Sequence, residues 1–326
     1  MLDQAAKPVI SAIICTHNRD RYLGAAIDSL LGQDLAAQGL GEFEVIVIDN
    51  ASSDGTRALV EAKLVDPQGQ PRLKYIHEST LGLSHARNRG VIESQGEIIA
   101  YLDDDAVAEP HWLSTLVAAY GADERLAIAG GRVTLLWPEA TEPPQWLSEA
   151  MLSCLGHYDL GQAELTIENP SLTPRGLNYS LRRSFLDQVG GFDLQLGRVG
   201  KKLLSNEELF MTEAALSQGW RVAYLPQALV AHNVAPERLA RQWFLRRSWW
   251  QGVSECYRDQ LAGRGIVAQF GQAGERLLRG LYKAVKFIAQ PAVCFDNLTY
   301  AYGQVGYLST AVHNIMSTVF VSTVKP

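Results

Sequence analysis

The sequence predicts an α/β protein whose mixed sheet is mainly parallel and whose C-terminal region is helical. Short apolar runs rich in β-branched residues alternate with segments of helical periodicity through the first hundred residues, and polar residues collect where each apolar run ends. From residue 236 onward the pattern is helical. Strands that alternate with helices indicate parallel strands joined by right-handed crossovers.

The N-terminal part contains three predicted units, each made of a strand, a polar loop and a helix. Apolar positions that recur every three or four residues mark the helices, and short uninterrupted apolar runs mark the strands. The predicted elements are a strand at residues 9–15, a helix at 22–31, a strand at 43–48, a helix at 57–65, a strand at 73–76 and a helix at 84–94.

The next apolar run begins at Ile98 and stops at three successive carboxylates, Asp103, Asp104 and Asp105. Such a run predicts a strand buried in a parallel sheet, and acids directly after it lie where open α/β sheets bind ligands. A hard divalent cation takes carboxylate oxygens and phosphate oxygens together. A solvated acidic turn or a helix N-cap explains the triplet equally well.

Because parallel strands end at one edge of a sheet, we expect the polar residues that follow them to converge on one crevice. Neither GxGxxG nor GxxxxGK[ST] is present, so no glycine-rich turn is available to hold phosphates. A metal bound by the aspartate triplet is the predicted substitute. The converging residues are Thr16, Asp49, Asp54, Arg87, Asn88 and the triplet itself.

Composition excludes several classes of protein. The net charge of −6 argues against general affinity for nucleic acid. The four cysteines are scattered without CxxC spacing, which fits a reducing compartment. The first eight residues lack a basic segment followed by an apolar core, so we expect no signal peptide and a cytoplasmic location.

Four segments together resemble family 2 glycosyltransferases of the GT-A fold. They occur in the family's order and approximate spacing, and they are Thr16-His17-Asn18-Arg19, Asp49-Asn50-Ala51-Ser52-Ser53-Asp54-Gly55-Thr56, the stretch from Gly82 to Gly90, and Leu102-Asp103-Asp104-Asp105. The resemblance implies a Rossmann-like α/β/α sandwich and an enzyme that transfers a sugar, with inversion, from a nucleotide diphosphate sugar. It also implies a divalent metal, Mn²⁺ or Mg²⁺.

The resemblance assigns roles to individual residues. Asp49 is expected to accept a hydrogen bond from the uracil N3–H, and Asp103 to face the ribose and base. Thr16 and Arg87 are expected to line the nucleotide, and Asp105 to ligate the metal. Asn18, Arg19 and Asp104 complete the predicted nucleotide-sugar site.

The likeness continues to about residue 255. Residues 176–183 and 189–193 resemble the family's GxNxxxRR and GGFD stretch. Glu207-Glu208 resembles the acidic pair that supplies the catalytic base, with Glu208 the first choice and Glu207 the second. Alternatively, both glutamates only begin a helix and favour its dipole. His232 resembles a histidine near the metal and leaving diphosphate, or is a hydrogen-bonded structural histidine.

Two departures from the family pattern matter. Many members have Glu-Asp where this chain has Glu207-Glu208, which leaves open which glutamate is the base. The Gln-x-x-Arg-Trp motif of processive members is absent, so we expect one sugar to be transferred per encounter. A sugar-phosphate nucleotidylyltransferase and a non-catalytic nucleotide-sugar-binding scaffold are the alternatives. Against the first, the loop after the first predicted strand of this chain lacks a glycine-rich, lysine-bearing segment that would hold a triphosphate.

The predicted domains are a catalytic domain at residues 1–235 and a helical region at 236–326. The donor half covers about 8–130 and the acceptor half about 131–235. Trp146 lies in a segment of irregular pattern where this fold admits a variable acceptor loop, and it either stacks on a sugar or anchors packing.

The C-terminal region from residue 236 carries eleven Lys and Arg against five Asp and Glu, a surplus of +6. Its helices mix bulky aromatic and aliphatic residues with arginines and lysines. That combination indicates attachment to an anionic membrane surface, or else a homodimer interface. Polar residues dilute residues 297–324, so we expect no membrane-spanning helix there. A glycolipid or surface polysaccharide is the expected product, and the acceptor is lipid-linked or a glycan.

Overall fold

The computed structural model describes residues 7–64, 73–139, 141–264 and 266–323. The N-terminal six residues and the last residue of the helix predicted at 57–65 lie outside that part. Nine strands are described: β1 (Ile10–Thr16), β2 (Phe43–Asn50), β3 (Leu73–Glu78), β4 (Ile98–Asp103), β5 (Ala106–Ala108), β6 (Leu126–Leu136), β7 (Leu165–Thr166), β8 (Asn178–Arg182) and β9 (Arg221–Asn233).

The described part also contains ten α-helices. They are α1 (Asp20–Leu31), α2 (Thr56–Lys63), α3 (Leu83–Glu93), α4 (Trp112–Ala122), α5 (Glu149–Leu152), α6 (Arg183–Val189), α7 (Glu207–Ser217), α8 (Arg241–Leu261), α9 (Ile266–Lys286) and α10 (Pro291–Thr323). The strands and helices predicted for the first hundred residues are confirmed. β9 is longer than the short strand that the apolar residues before His232 indicated, because it pairs with strands along both of its edges.

The chain divides into two compact units. The sheet unit consists of the described residues up to 136 together with 156–194 and 207–233. The helical unit consists of 137–155, 195–206 and the described residues from 234 onward. The predicted domain boundary after residue 235 stays a prediction.

In the sheet unit the strand order is β3-β2-β1-β4-β8-β6-β9-β5, and β7 pairs with β9. The pairings make β1, β2, β3, β4, β6 and β9 run in one direction and the other three strands run against them. The prediction of a mixed, mainly parallel sheet is therefore confirmed. β8 enters antiparallel between β4 and β6, which separates the two parallel groups.

Right-handed crossovers place α1 and α2 on one face of the sheet and α3 on the other, since β4 lies on the opposite side of β1 from β2 and β3. The strands of this region are buried on both faces, and that is why their sequences are continuous apolar runs. Gly90 of α3 lies so close to the sheet that a Cβ there would stand 2.9 Å from atoms of Ile13.

β6 and β9 pair in parallel with a register shift between Gly131 and Val133. At this irregularity the backbone of β9 approaches Gly131 so closely that a Cβ at this position would overlap the carbonyl oxygens of Leu225 and Ala228. Only glycine leaves room for the two carbonyl groups.

The helical unit is held together by close contacts between α8 and α10. A Cβ at Gly252 would overlap the carbonyl oxygen of Gly303, and one at Gly306 would overlap that of Trp249. No described helix is both long enough and apolar enough to cross a membrane.

Trp146 belongs to the helical unit, where its ring meets Phe244 and Phe295 edge-on, with centroids 5.4 and 5.0 Å away. The guanidinium of Arg241 lies 5.5 Å from its ring centroid. Of the two alternatives for Trp146, these contacts support the packing anchor.

Replacing Gly131 with alanine is expected to lower the free energy of unfolding by about 1–3 kcal/mol or more, because the new methyl group forces the two strands apart. Gly121→Ala is the matched control. A methyl group at this position of α4 would have no neighbouring atom within 4 Å, and alanine there is expected to stabilise by up to about 1 kcal/mol. Urea unfolding of both variants checks this, and equal stabilities would contradict it.

Candidate active site

The register of the parallel strands brings the predicted donor residues to one edge of the sheet, called here the carboxyl edge. Thr16, the last residue of β1, pairs with Asp49 of β2, and Cys15 pairs with Asp103 of β4. These residues come from three strands that are adjacent in space and run in the same direction. The carboxyl edge therefore exists as the sequence predicts.

Asp49 is buried and fully oriented by its neighbours. Its Oδ1 accepts a hydrogen bond from the Ser52 backbone N–H at 2.9 Å, and its Oδ2 accepts one from the Tyr75 hydroxyl at 2.7 Å. Burial and the hydrogen bond to Asp49 raise the pKa of Tyr75 to about 12. Tyr75 therefore remains a donor throughout the physiological range and holds the Asp49 carboxylate in one orientation.

The loops after β1 and β2 are tied to each other. The Asn18 side-chain oxygen accepts the Ser53 N–H at 2.7 Å, and the Asn18 N–H donates to the Ser52 hydroxyl at 3.0 Å. Asn18 and Ala51 both have left-handed backbones, with φ of 55° and 58°. Oδ1 of Asp54 accepts hydrogen bonds from the Thr56 N–H and hydroxyl, which is typical of an aspartate in a turn.

Three side chains at the end of β4 and on β9 form a group able to ligate a metal. One potential ligand atom from each of Asp103, Asp105 and His232 lies within 4.8 Å of the others. Oδ1 of Asp105 lies 3.0 Å from His232 Nε2, and Oδ2 lies 3.4 Å from an Arg19 guanidinium nitrogen. Pairing of Ala106 with His232 between β5 and β9 brings the histidine to the acidic triplet.

Asp104 is buried beside this group. Burial, followed by the negative charge of Asp105, raises the pKa of Asp104 to about 7, although Arg19 opposes the shift. Concentrating carboxylates in a buried place costs free energy, and such an arrangement is typical of cation sites.

The second cluster at this site is an arginine shared by two glutamates. Arg87 on α3 is 2% exposed and donates to Glu207 at 3.1 Å and to Glu208 at 3.0 Å, both at the start of α7. Burial alone would lower the pKa of Arg87, but the charges of Glu208 and Glu207 outweigh it and hold that pKa above its usual value. The negative charge of Asp103 also raises the pKa of Arg87, so the two clusters are neighbours.

Aromatic rings and a glycine complete the surroundings of this cluster. The Arg87 guanidinium lies 5.6 Å from the ring centroid of Tyr101 and 5.2 Å from that of Phe192. A Cβ at Gly176 would overlap both Glu208 Oε1 and an Arg87 nitrogen. The first glycine of the 176–183 stretch is thus required where the ion pairs pass close to the backbone.

Other residues of the family-like motifs have structural contacts. Asn88 exchanges two hydrogen bonds with the Phe192 backbone, at 2.9 and 2.8 Å. Arg183 donates to the carbonyl groups of Ser94 and Gly96 just beyond α3, and Arg182 binds carbonyl groups at the end of α4.

With this geometry in place, sequence profiles identify the family. The profile described as "Glycosyl transferase family 2" matches residues 11–186, which is more than half of the chain. The chain belongs to glycosyl transferase family 2. It is a glycosyltransferase, and the enzyme class predicted from the four motifs is confirmed.

Two relatives match a longer stretch of the chain than the family profile does. Over 255 residues the chain is 29% identical to glucosyl-dolichyl phosphate glucuronosyltransferase of Haloferax volcanii, which covers 77% of this chain and 78% of that protein. Over 241 residues it is 27% identical to succinoglycan biosynthesis protein ExoM of Rhizobium meliloti, covering 73% and 71%.

Solved structures share the fold at lower identity. The mannosyltransferase PcManGT of Pyrobaculum calidifontis, in complex with GDP-Man and Mn²⁺, is 16% identical, matches 99% of this chain and 84% of that chain, and gives a TM-score of 0.53. Staphylococcus aureus TarS 1-349 is 18% identical, with 91% and 90% covered and a TM-score of 0.51. The predicted GT-A-like architecture is confirmed.

The roles predicted for the site residues stay predictions, and the sequence did not indicate three of the side chains that contact them. Tyr75 holds Asp49, and Tyr101 and Phe192 enclose Arg87. The apolar pattern of the strands gives no signal for these contacts, because an aromatic residue in a buried strand is ordinary core. Arg87, expected at the nucleotide, has its guanidinium bound to Glu207 and Glu208.

Replacing Arg87 with methionine is expected to lower the free energy of unfolding by about 3–5 kcal/mol, because it leaves two carboxylates, one of them buried, without their cation. Arg57→Met is the matched control, since Arg57 pairs with Glu61 on the exposed face of α2 and its loss should leave the stability nearly unchanged. Denaturant titration measures both. Equal losses would show that the buried ion pairs carry no special weight.

Proposed function

We propose that this glycosyltransferase moves a sugar from a UDP-linked donor to a hydroxyl acceptor, with inversion at the anomeric carbon. The proposal rests on one observation. A metal-ligand group and a glutamate pair fixed by Arg87 lie close together at one edge of the sheet. The name of one relative includes a dolichyl phosphate-linked sugar, and that of another a polysaccharide. A lipid-linked or glycan acceptor, in glycolipid or surface polysaccharide synthesis, is therefore part of the proposal.

The residues present fit a divalent cation. Two carboxylates and an imidazole are ligands that Mn²⁺ accepts, and Mg²⁺ also takes carboxylate oxygens. Asp105 and His232, with Asp103 beside them, would hold the ion. When bound, the ion supplies positive charge that stabilises the departing diphosphate.

The chain's own residues bind and orient the donor in this proposal. The Asp49 carboxylate has lone pairs beyond those used by Ser52 and Tyr75, and one of them accepts the uracil N3–H. Arg19 is 28% exposed and pairs with Asp105, so its guanidinium is able to reach a diphosphate oxygen. The complete donor-binding set is Thr16, Asn18, Arg19, Asp49, Asp103 and Asp104.

Glu208 is the proposed base. Arg87 binds Oε1 of both glutamates, but the side chain of Glu208 is 15% exposed and that of Glu207 only 4%. We assign Oε2 of Glu208 to take the proton of the acceptor hydroxyl as it attacks in line. Glu207 and Arg87 are then positioning residues that hold the Glu208 carboxylate towards the acceptor.

Replacing Glu208 with glutamine is expected to reduce the rate of UDP release from the accepted UDP-sugar at least about 100-fold, because the amide cannot take a proton. UDP binding should be unchanged. For the wild-type enzyme, proton NMR of the product should show that the sugar has the inverted anomeric configuration.

The control is Glu207→Gln, which keeps Glu208 intact and should retain more activity. Full turnover by Glu208→Gln with loss of turnover in Glu207→Gln would transfer the role of base to Glu207. Release of the retained anomer would overturn the direct displacement.

Asp105→Asn is expected to abolish the Mn²⁺-dependent part of UDP binding. Ligand at 100 times its Kd stabilises a folded protein by about 2.7 kcal/mol, so UDP with Mn²⁺ should raise the Tm of the wild type by several degrees. The control is Asp28→Asn, whose carboxylate pairs with Lys63 at the surface and should leave the shift unchanged. An equal shift for Asp105→Asn, or the same shift in the presence of EDTA, would contradict the metal site.

A further inference from the structure

Exposed hydrophobic side chains are unevenly distributed over the described residues. Twenty-one large hydrophobic residues are exposed, and 13 of them lie on α9, on α10 or in the turn between these helices. Scattered apolar residues on a surface are ordinary, but a concentration on two neighbouring helices is typical of an interaction surface. Those on α9 and just beyond its end are Phe270, Leu278, Leu281, Tyr282, Val285 and Ile288.

Side chains around α9 divide into a buried row and an exposed apolar row. Ala273, Gly280 and Ala284 are the buried row; Ala273 joins a cluster with Tyr307 of α10, and Gly280 lies against Ala301 of the same helix. The exposed row has the spacing of three and four residues that puts side chains on one helix face. Its exposed fractions reach 69% at Leu278, 72% at Val285 and 74% at Ile288, so the packing against α10 leaves this face open.

Cations border the exposed apolar row. The exposed basic residues of α9 are Arg276, Arg279, Lys283 and Lys286. Glu275 and Asp296 are the only acidic residues from 266 to 323; Glu275 pairs with Arg279, and Asp296 accepts a hydrogen bond from Ser148. This basic row occurs in a chain with a net charge of −6, so it is a local feature and not a reflection of overall composition.

The charge pattern favours a membrane over a second copy of the chain. A two-fold dimer through this face would bring the same basic row from each copy to one interface, and the helices offer few carboxylates to neutralise it. An anionic bilayer complements both rows, because acyl chains receive the apolar side chains while acidic headgroups receive the cations. Lysine and arginine stems can extend from the apolar boundary to the headgroups.

We propose that α9 is an interfacial helix that binds the surface of an anionic lipid bilayer through Leu278, Val285 and the adjoining Ile288, together with the adjacent basic row. The helix lies in the plane of the membrane with its apolar row at the acyl boundary. This inference rests on the proposed function in one respect, because the proposed lipid-linked acceptor lies in the same bilayer that α9 would bind.

The test is co-sedimentation of the 326-residue chain with sucrose-loaded vesicles of phosphatidylcholine, with and without phosphatidylglycerol as about one lipid in three. Binding is expected only to the anionic vesicles, and it should weaken at least about tenfold between 50 and 500 mM NaCl because salt screens the cationic contribution. Failure to bind anionic vesicles at low salt would overturn the proposal.

Two sets of substitutions examine the two rows separately. Leu278→Ser with Val285→Ser and Ile288→Ser should abolish vesicle binding. Lys283→Gln with Lys286→Gln should weaken it about 25-fold, because each cation removed costs about a factor of five. Ile92→Ser is the matched control, since Ile92 is 77% exposed on α3 and its variant should bind vesicles like the wild type. Unchanged binding by the triple variant would contradict the role of the apolar row.

Oligomeric state and donor turnover distinguish the other outcomes. A wild-type dimer that the triple variant converts to a monomer, without vesicle binding by either, would assign the face to a second copy. Metal-dependent UDP release without vesicles should be equal in the wild type and all α9 variants. Turnover without vesicle binding overturns only this inference, and vesicle binding without turnover overturns only the proposed function.

Discussion

The shared ion pair of Arg87 with Glu207 and Glu208 is the interaction on which the site depends. It joins α3 to α7 across 120 positions of sequence, in a place where neither charge could remain buried alone. A buried arginine without carboxylates, or a buried glutamate without its cation, costs several kcal/mol, so the two helices cannot be positioned independently. Gly176 then matters because its missing side chain leaves the space that these charged groups occupy.

Close approaches between backbones also fix the positions of strands and helices within each unit. Gly131 lets β9 lie against β6 at a register shift, and β9 goes on to present His232 to the acidic end of β4. In the helical unit, Gly252 and Gly306 allow α8 and α10 to touch through their backbones. Each contact leaves a chemically active side chain or a whole helix face in a defined position.

The sheet unit and the helical unit present ligands with surfaces of opposite charge. The sheet unit concentrates carboxylates at one edge and includes a carboxyl whose pKa rises to about 7, which suits a cation and the phosphates it would bind. The α9 helix of the other unit concentrates cations beside apolar side chains, which suits acidic lipids. The proposed transfer from a charged nucleotide-sugar donor to a lipid-linked acceptor would use both kinds of surface.

The sequence by itself determined the α/β class, the first four strands, the family and the arrival of Thr16, Asp49 and Asp103 at the carboxyl edge. Those features depend on local patterns: apolar runs, helical periodicity and polar residues directly after strands. The partners of those residues were decided by tertiary structure alone. Tyr75 beside Asp49, the fork from Arg87 to both glutamates and the aromatic rings around Arg87 join positions far apart in the chain, and nothing in their local sequence distinguishes them from core. The physical reason is that a buried charge or hydrogen-bonding group takes whichever partner the packed strands and helices bring within about 3 Å, and the distances across the fold are not encoded in any single segment.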